Sequence, residues 1–189
     1  ACAPFRRIQL CDYKLEHIND SNINSTDDLL GNLLVMAKSE GDSIVKSHEH
    51  TGNGIYKSGI CTSLARSFAD IGDIIRGKDL FLGNNDNDKI KKEKLQGNLE
   101  KIFKRFKAKY EDINNLPIDD IREYWWTLNR NDVWKAITCS APRDAQYFIK
   151  SSVRDQTFSN DYCGHDENKV LTNLDYVPQF LRWFEEWAE

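Results

Sequence analysis

Apolar residues recur along this 189-residue chain at helical spacing, and no run alternates long enough to make a strand. The stretch from Cys61 to Phe81 organises the rest. Leu64, Phe68, Ile71 and Ile75 fall at i, i+4, i+7 and i+11, one stripe of a 3.6-residue helix. A second row, Ala65, Ala69 and Ile74, widens that stripe, so neighbours are expected on several sides. Thr62 can cap the start, and Gly77 stands where a left-handed residue would close the end. Arg66, Asp70, Asp73 and Arg76 supply opposite charges at i+3 and i+4 spacing.

Four further segments show the same period. Thr26 or Asp27 caps a helix to about Lys46 whose apolar side is Leu30, Leu33, Leu34, Ala37, Ile44 and Val45, with Gly41 a weak point inside it. Ile90 to Ile113 carries the clearest stripe: Leu95, Leu99, Ile102, Phe103, Phe106, Tyr110 and Ile113. Pro117 ends that segment, and Asp119 and Asp120 suit the first turn of the next. There Ile121, Trp125 and Leu128 face one way. Val133, Trp134 and Ile137 resume after an interruption at Asn129-Arg130-Asn131, where Asp132 can recap. From Pro142 to Lys169 the chain is polar, with Phe148, Val153 and Phe158 as anchors. Last, Asp175 to Glu189 places Pro178 at a first helical turn and Phe180, Leu181, Phe184 and Trp187 on the apolar face. The fold class is all-α.

Composition narrows this picture. A chain of this length can bury about 70% of its unfolded surface, enough for one large domain or two small lobes. A net charge of -4 excludes a generally basic nucleic-acid binder, and no apolar run approaches the 18 residues of a membrane span. Both ends look cut from something longer. Five cysteines, Cys2, Cys11, Cys61, Cys139 and Cys163, form no C-x-x-C pair and fit no zinc template. Their number favours disulfides, and the residues alone leave the pairing open.

Little here points to catalysis. The pairs Asp119-Asp120 and Glu185-Glu186 sit at helix ends or on exposed faces, and no nucleophile elbow, phosphate loop or H-E-x-x-H occurs. His48-Glu49-His50, expected in a glycine-containing loop, lacks further ligands. The acidic run Gly83 to Lys89 lacks the turn glycine of a calcium loop. No cofactor or metal is implied. One feature stands out: the Ile90–Ile113 helix carries Lys91, Lys92, Lys94, Lys101, Lys104, Arg105, Lys107 and Lys109 against only Glu93 and Glu100. Such a face attracts polyanions even on an acidic protein, with sulfated glycans and anionic membranes ahead of nucleic acid. It is equally the pattern of a plain solvated face. Asn24-Ser25-Thr26 matches an N-glycosylation sequon in a stretch already rich in Asn.

Several longer blocks are specific enough to name a family. LARSFADIGDIIRGKDLF and DYVPQFLRWFEEWAE, with CAPFRRIQLC, REYWW and NRNDVWKAITC in order, resemble the alpha-type Duffy-binding-like domains of the variant erythrocyte membrane protein of Plasmodium falciparum. The resemblance covers essentially the whole chain. It implies a disulfide-stapled fold of long helices. Residues 1–26 would end the first subdomain and its connecting loop, and 27–189 would form the helical second subdomain, with the remainder of the domain missing. It implies the pairs Cys2–Cys11 and Cys61–Cys139, with Cys163 free or bridged outside. By chain entropy the longer bridge, closing nearly eighty residues, would be worth about 4–5 kcal/mol. Adhesion is the implied task, at the surface of the infected erythrocyte. The implied partners are red-cell or endothelial receptors, such as heparan sulfate or blood-group sugars, and antibodies, without membrane insertion. Few cysteines beyond the central helix resemble a subgroup associated with rosetting. On this reading the tentative receptor residues are Lys101, Lys104, Arg105, Lys107 and Lys109. The alternative is a structural and antigenically variable element with the receptor site elsewhere.

Overall fold

Helix α3, Lys57–Arg76, runs through the middle of the molecule with Leu64, Ala65, Phe68, Ile71 and Ile75 fully buried. The computed structural model describes residues 2–50, 57–151 and 156–189. Around α3 lie α1 (Phe5–Ile8), α2 (Thr26–His50), α4 (Asp86–Lys109), α5 (Ile118–Thr138) and α7 (Gln179–Ala188). A short turn, α6 (Asp161–Gly164), three 3-10 turns (Cys11–Leu15, Glu111–Ile113 and Leu174–Tyr176) and a small antiparallel hairpin, β1 (Phe148–Ser151) with β2 (Gln156–Phe158), complete the described elements. The hairpin departs from the expected all-helical reading only locally. It pairs Phe148 with Phe158, their ring centres 5.5 Å apart, so both anticipated anchors serve each other. Val153 lies outside the described residues.

Local chemistry explains the helix limits. α2 starts one residue earlier than expected: Ser25 Oγ accepts from the Asp28 N–H at 3.1 Å while Asp28 Oδ2 accepts from the N–H groups of Asn24 and Ser25, a reciprocal box. α2 then continues to His50, so the His48-Glu49-His50 motif belongs to the helix, and His48 Nδ1 donates to the Ile44 carbonyl. At the far end of α3, Gly77 takes φ +75° and the N–H groups of Gly77 and Lys78 return to the carbonyls of Ile74 and Asp73. Arg122, buried and reaching from α5, donates to the free Ile75 carbonyl and shares that of Ile74. A cation there also complements the helix dipole.

The aromatic core gathers on Phe68. Trp126 lies 5.2 Å from it and Trp134 packs edge-on at 5.3 Å. Trp126 is fully buried and donates Nε1–H to Asp175 at 2.9 Å; Arg130 grips the same carboxylate with two nitrogens. These contacts carry α5 unbroken through Asn129-Arg130-Asn131, where an interruption was expected. Asn129 turns its amide back onto the Trp125 carbonyl, so its polar group is satisfied inside the helix. Leu128, expected inside, stands exposed.

The cysteines correct the anticipated pairing. Cys61 is bridged to Cys163, both buried with Cα atoms 5.5 Å apart, while Cys139 caps the solvent-facing end of α5 as a free thiol. Cys163 reaches Cys61 because it sits in a left-handed turn with Tyr162, both at φ 55°, whose N–H groups hang from the carbonyls of Ala145 and Arg143. The Cys2–Cys11 pair is absent as well. Cys2 lies on the surface, and Cys11 is enclosed with its N–H on Glu40 at 3.0 Å. Burial and the Glu40 charge push the Cys11 thiol up to about 12, so it stays protonated and inert. Non-reducing peptide mapping should therefore find Cys61 joined to Cys163, with Cys139 alkylated rapidly in the folded protein. A Cys61–Cys139 peptide would refute this arrangement.

Between α1, α3 and α7 the core turns ionic. Asp70 is wholly buried and accepts from Arg6 at 2.7 Å, Arg182 at 2.7 Å and Gln179 at 3.0 Å. Burial would push its carboxyl up, but Arg6, Arg182 and Arg7 outweigh that and hold it below the usual range. Asp73, salt-bridged to Arg182 and Arg76, is pushed up to about 7, burial prevailing over both cations. Arg7, also buried, bridges Asp12 and Asp79. The opposite charges noted along α3 at i+3 and i+4 spacing thus belong to an internal network, in which Asp73–Arg76 keeps the i+3 pairing.

Candidate receptor-binding surface

α4 positions the five tentative receptor residues. Asn85 caps it by accepting from the Asp88 N–H, and Asp88 accepts from Asn84. That cap accounts for the acidic run at Gly83 to Lys89, and among the described residues no cluster is built to hold a metal ion. Leu95, Leu99, Ile102, Phe103 and Phe106 bury one side of α4. At 100° per residue Lys101, Lys104 and Arg105 then share the opposite arc, whereas Lys107 emerges on the other flank. The cations do not form one face. They wrap around three sides of the helix.

Their partners decide how much charge survives. Lys104 pairs with Glu100 at 2.6 Å, which holds the Glu100 carboxyl below its ordinary value. Arg105 donates to the Asp20 carbonyl, Lys107 to the Leu116 carbonyl at 2.8 Å and Lys109 to the Asn24 carbonyl at 3.4 Å. Carbonyl partners orient a cation without cancelling it. Lys101 is exposed. Nearer the start of α4 most of the charge is consumed, since Lys92 bridges Asp12 at 2.7 Å and Lys91 pairs with Glu16 at 3.3 Å, while Lys94 stays exposed. The uncancelled charge therefore concentrates in the last three turns.

Beside that end lies a cleft of about 330 Å³ walled by Phe106, Tyr110, Ile113, Tyr124, Trp125 and Leu128. Tyr124 and Leu128 are exposed, and the Lys109 ammonium stands 5.7 Å from the centre of the Tyr110 ring. Sequence reading missed this cleft because Tyr110 and Leu128 were assigned to core stripes. Its signal was the run Tyr124-Trp125-Trp126, in which a 100° step turns each ring a different way. Only Trp126 goes fully inward.

The family model of the Duffy binding domain matches residues 1–182. The chain belongs to the Duffy binding domain family. Among curated Duffy-binding relatives, the Duffy receptor gamma form of Plasmodium knowlesi is 25% identical over 99% of this chain, and the Duffy receptor of Plasmodium vivax is likewise 25% identical. The chain spans about 15% of the length of those two relatives. Solved Duffy-binding-like structures resemble it more closely. The NTS-DBL1(alpha-1) domain of Plasmodium falciparum PfEMP1 from the varO strain superposes with a TM-score of 0.88 at 48% identity, covering 100% of this chain and 43% of that one. The PfEMP1 IT4var13 DBLbeta domain bound to ICAM-1 gives a TM-score of 0.72 at 33% identity, covering 100% of this chain and 44% of that one. These likenesses fit an alpha-type domain. They place the chain among binding modules rather than enzymes.

Proposed function

We propose that this Duffy-binding chain is a host-receptor adhesion module, displayed outside the infected red cell, whose basic surface on α4 engages an anionic receptor such as a sulfated glycan. The observation that carries the adhesion reading is the match of the Duffy binding domain over residues 1–182, supported by a structural relative solved in complex with ICAM-1. The glycan reading rests on Lys101, Arg105, Lys107 and Lys109, of which the last three donate to carbonyls and none forms a close ion pair among the described residues, although Lys109 lies near enough to Asp28 to help lower its carboxyl. The adjoining Tyr110–Tyr124 cleft supplies rings on which a sugar face can stack. No described helix is long and apolar enough to cross a membrane.

Replacing Lys101, Lys104, Arg105 and Lys107 by Ala should lower heparin affinity about tenfold or more at physiological ionic strength, where exposed charges still act over about 8 Å. Wild-type retention should fall steeply with salt. Unchanged heparin and red-cell binding by the quadruple variant would remove this helix as the site. Loss of heparin binding with red-cell binding intact would move the receptor reading to a protein ligand.

A further inference from the structure

α7 presents its polar side to the core. Gln179, Arg182 and Trp183 are buried and Glu186 pairs with Arg6 at 2.9 Å, while Phe180, Leu181, Phe184 and Trp187, the expected apolar face, stand exposed. That orientation brings Glu186 to a cavity of about 250 Å³ where α1, α2, α3 and α7 meet. Phe5, Glu40, Ser43 and Ser63 line it too, and none of its lining residues comes from α4.

The charges of this cavity do not balance. Glu40 forms part of the wall although it is only 3% exposed, and the donors that reach its carboxylate are neutral: the Ser67 hydroxyl at 2.8 Å and the Cys11 N–H at 3.0 Å. Arg6 is the one guanidinium in the lining, and it is spent elsewhere. Its Nε and Nη2 hold Glu186, Nη2 also holds Asp70, and Nη1 donates to Ser67 Oγ, the hydroxyl that passes its own proton to Glu40. Glu40 therefore meets the cation only through a hydroxyl. Burial outweighs these partners and holds its carboxyl above the ordinary range.

We infer that this cavity seats the guanidinium of an arginine side chain carried by a protein partner. An anion would face Glu40 and Glu186, and a neutral group would leave Glu40 without a counter-charge in a buried setting. The acceptors are several and come from three helices: Glu40 and Ser43 on α2, Ser63 on α3 and Glu186 on α7. A fork of five N–H donors suits that spread better than a point ammonium does. Phe5 lines the cavity and is 68% exposed, so its ring is open to a planar cation lying on it. The seat is opposite in charge to the basic end of α4, and it selects a basic segment of a partner rather than a sulfated chain. This inference rests neither on the glycan reading nor on the family assignment.

The test titrates the isotope-labelled chain with N-acetyl-arginine methylamide and follows the backbone amide signals. Saturable shifts are expected at Phe5, Gln9 and Ser63, which line the cavity. The citrulline analogue, equal in shape but uncharged, should bind about tenfold more weakly, the scale of a charged hydrogen bond. Glu40→Gln, which keeps the shape of the side chain, should weaken the arginine analogue by about the same factor. Phe5→Ala should weaken it about threefold, as for an exposed cation–π contact. Phe5 is exposed, so its variant keeps the test open should the Glu40 variant fail to fold. No saturable shift at these residues would overturn the inference, and so would equal affinity for the arginine analogue and its citrulline or lysine counterpart. Undiminished binding by both variants would overturn it too. Neither heparin nor red cells enter the assay, so its failure leaves the adhesion reading untouched.

Discussion

Asp70→Ala should cost about 3–5 kcal/mol, the range for removing one partner from a buried ion cluster. Asp70 is the common acceptor of Arg6, Arg182 and Gln179, and its loss leaves an excess of buried guanidinium charge between α1, α3 and α7. For a chain of this size the midpoint should drop by about 10 °C or more. Because Trp183 also lies against Asp70, detachment of α7 should appear as a red shift of tryptophan emission ahead of global unfolding. A midpoint within 2 °C or so of wild type would show that the network contributes specificity and not stability.

The same residue sets an acid limit. Its folded carboxyl lies below the ordinary value, so its contribution is complete above the unfolded value of about 3.9 and fades as pH falls below it. Asp73 and Glu40, held up by burial, act in the opposite sense as pH rises above that value, Asp73 up to about 7. Urea midpoints of the wild type should therefore fall steeply below about pH 4. Asp70→Ala should flatten that acid limb.

Gly41→Ala should also be severe, and in a direction that helix propensity misjudges. Propensity alone would credit the substitution with about 1 kcal/mol of stabilisation inside α2. In the structure α2 crosses α5 so closely that a Cβ at Gly41 would stand 2.0 Å from the Ile137 carbonyl oxygen and 2.9 Å from its carbon. Backbone cannot yield as a side chain tip can, so the helices must part. A net cost of about 3 kcal/mol is expected, at the upper end for overpacking. Gly31 and Gly97 have nothing within 4 Å of such a Cβ, and Ala there should stabilise by up to about 1 kcal/mol. Denaturant midpoints of the three variants test the contrast. Similar gains at all three positions would disprove the close crossing.

Glycine 41 shows what a linear reading can and cannot extract. The periodic stripes of α3 and α4 were legible because their apolar sides do face the core, and the Gly77 stop follows from its own backbone freedom. Gly41 was legible only as a weak point, since its role depends on a helix nearly a hundred residues away. The stripe on α7 was found, but periodicity reports contrast between two faces and not which one points inward. Its inner face is polar because Asp70 and Asp73 are buried beneath it, which a local charge pattern does not disclose. The cysteine pairing failed for a similar reason: Cys139 and Cys163 are both within reach of Cys61 in sequence, and only the left-handed turn at Tyr162 and Cys163 decides between them. For the basic helix the sequence supplied every cation. What it did not contain was which charges are cancelled, because Asp12, Glu16 and the carbonyls of Asp20, Asn24 and Leu116 approach from elsewhere.

The Cys61–Cys163 bridge has a consequence for how the molecule withstands attack by proteases. It joins positions 102 residues apart, and both α4 and α5 lie inside that span. The exposed connection at Tyr110 to Pro117 is a natural place for a cut. Severed there, the chain would yield two pieces still tethered through sulfur, each retaining one of the helices that wall the aromatic cleft. On a gel without reductant the clipped molecule would migrate as one species. Adding thiol would release its halves, so cleavage and loss of the proposed adhesion could be separated in time.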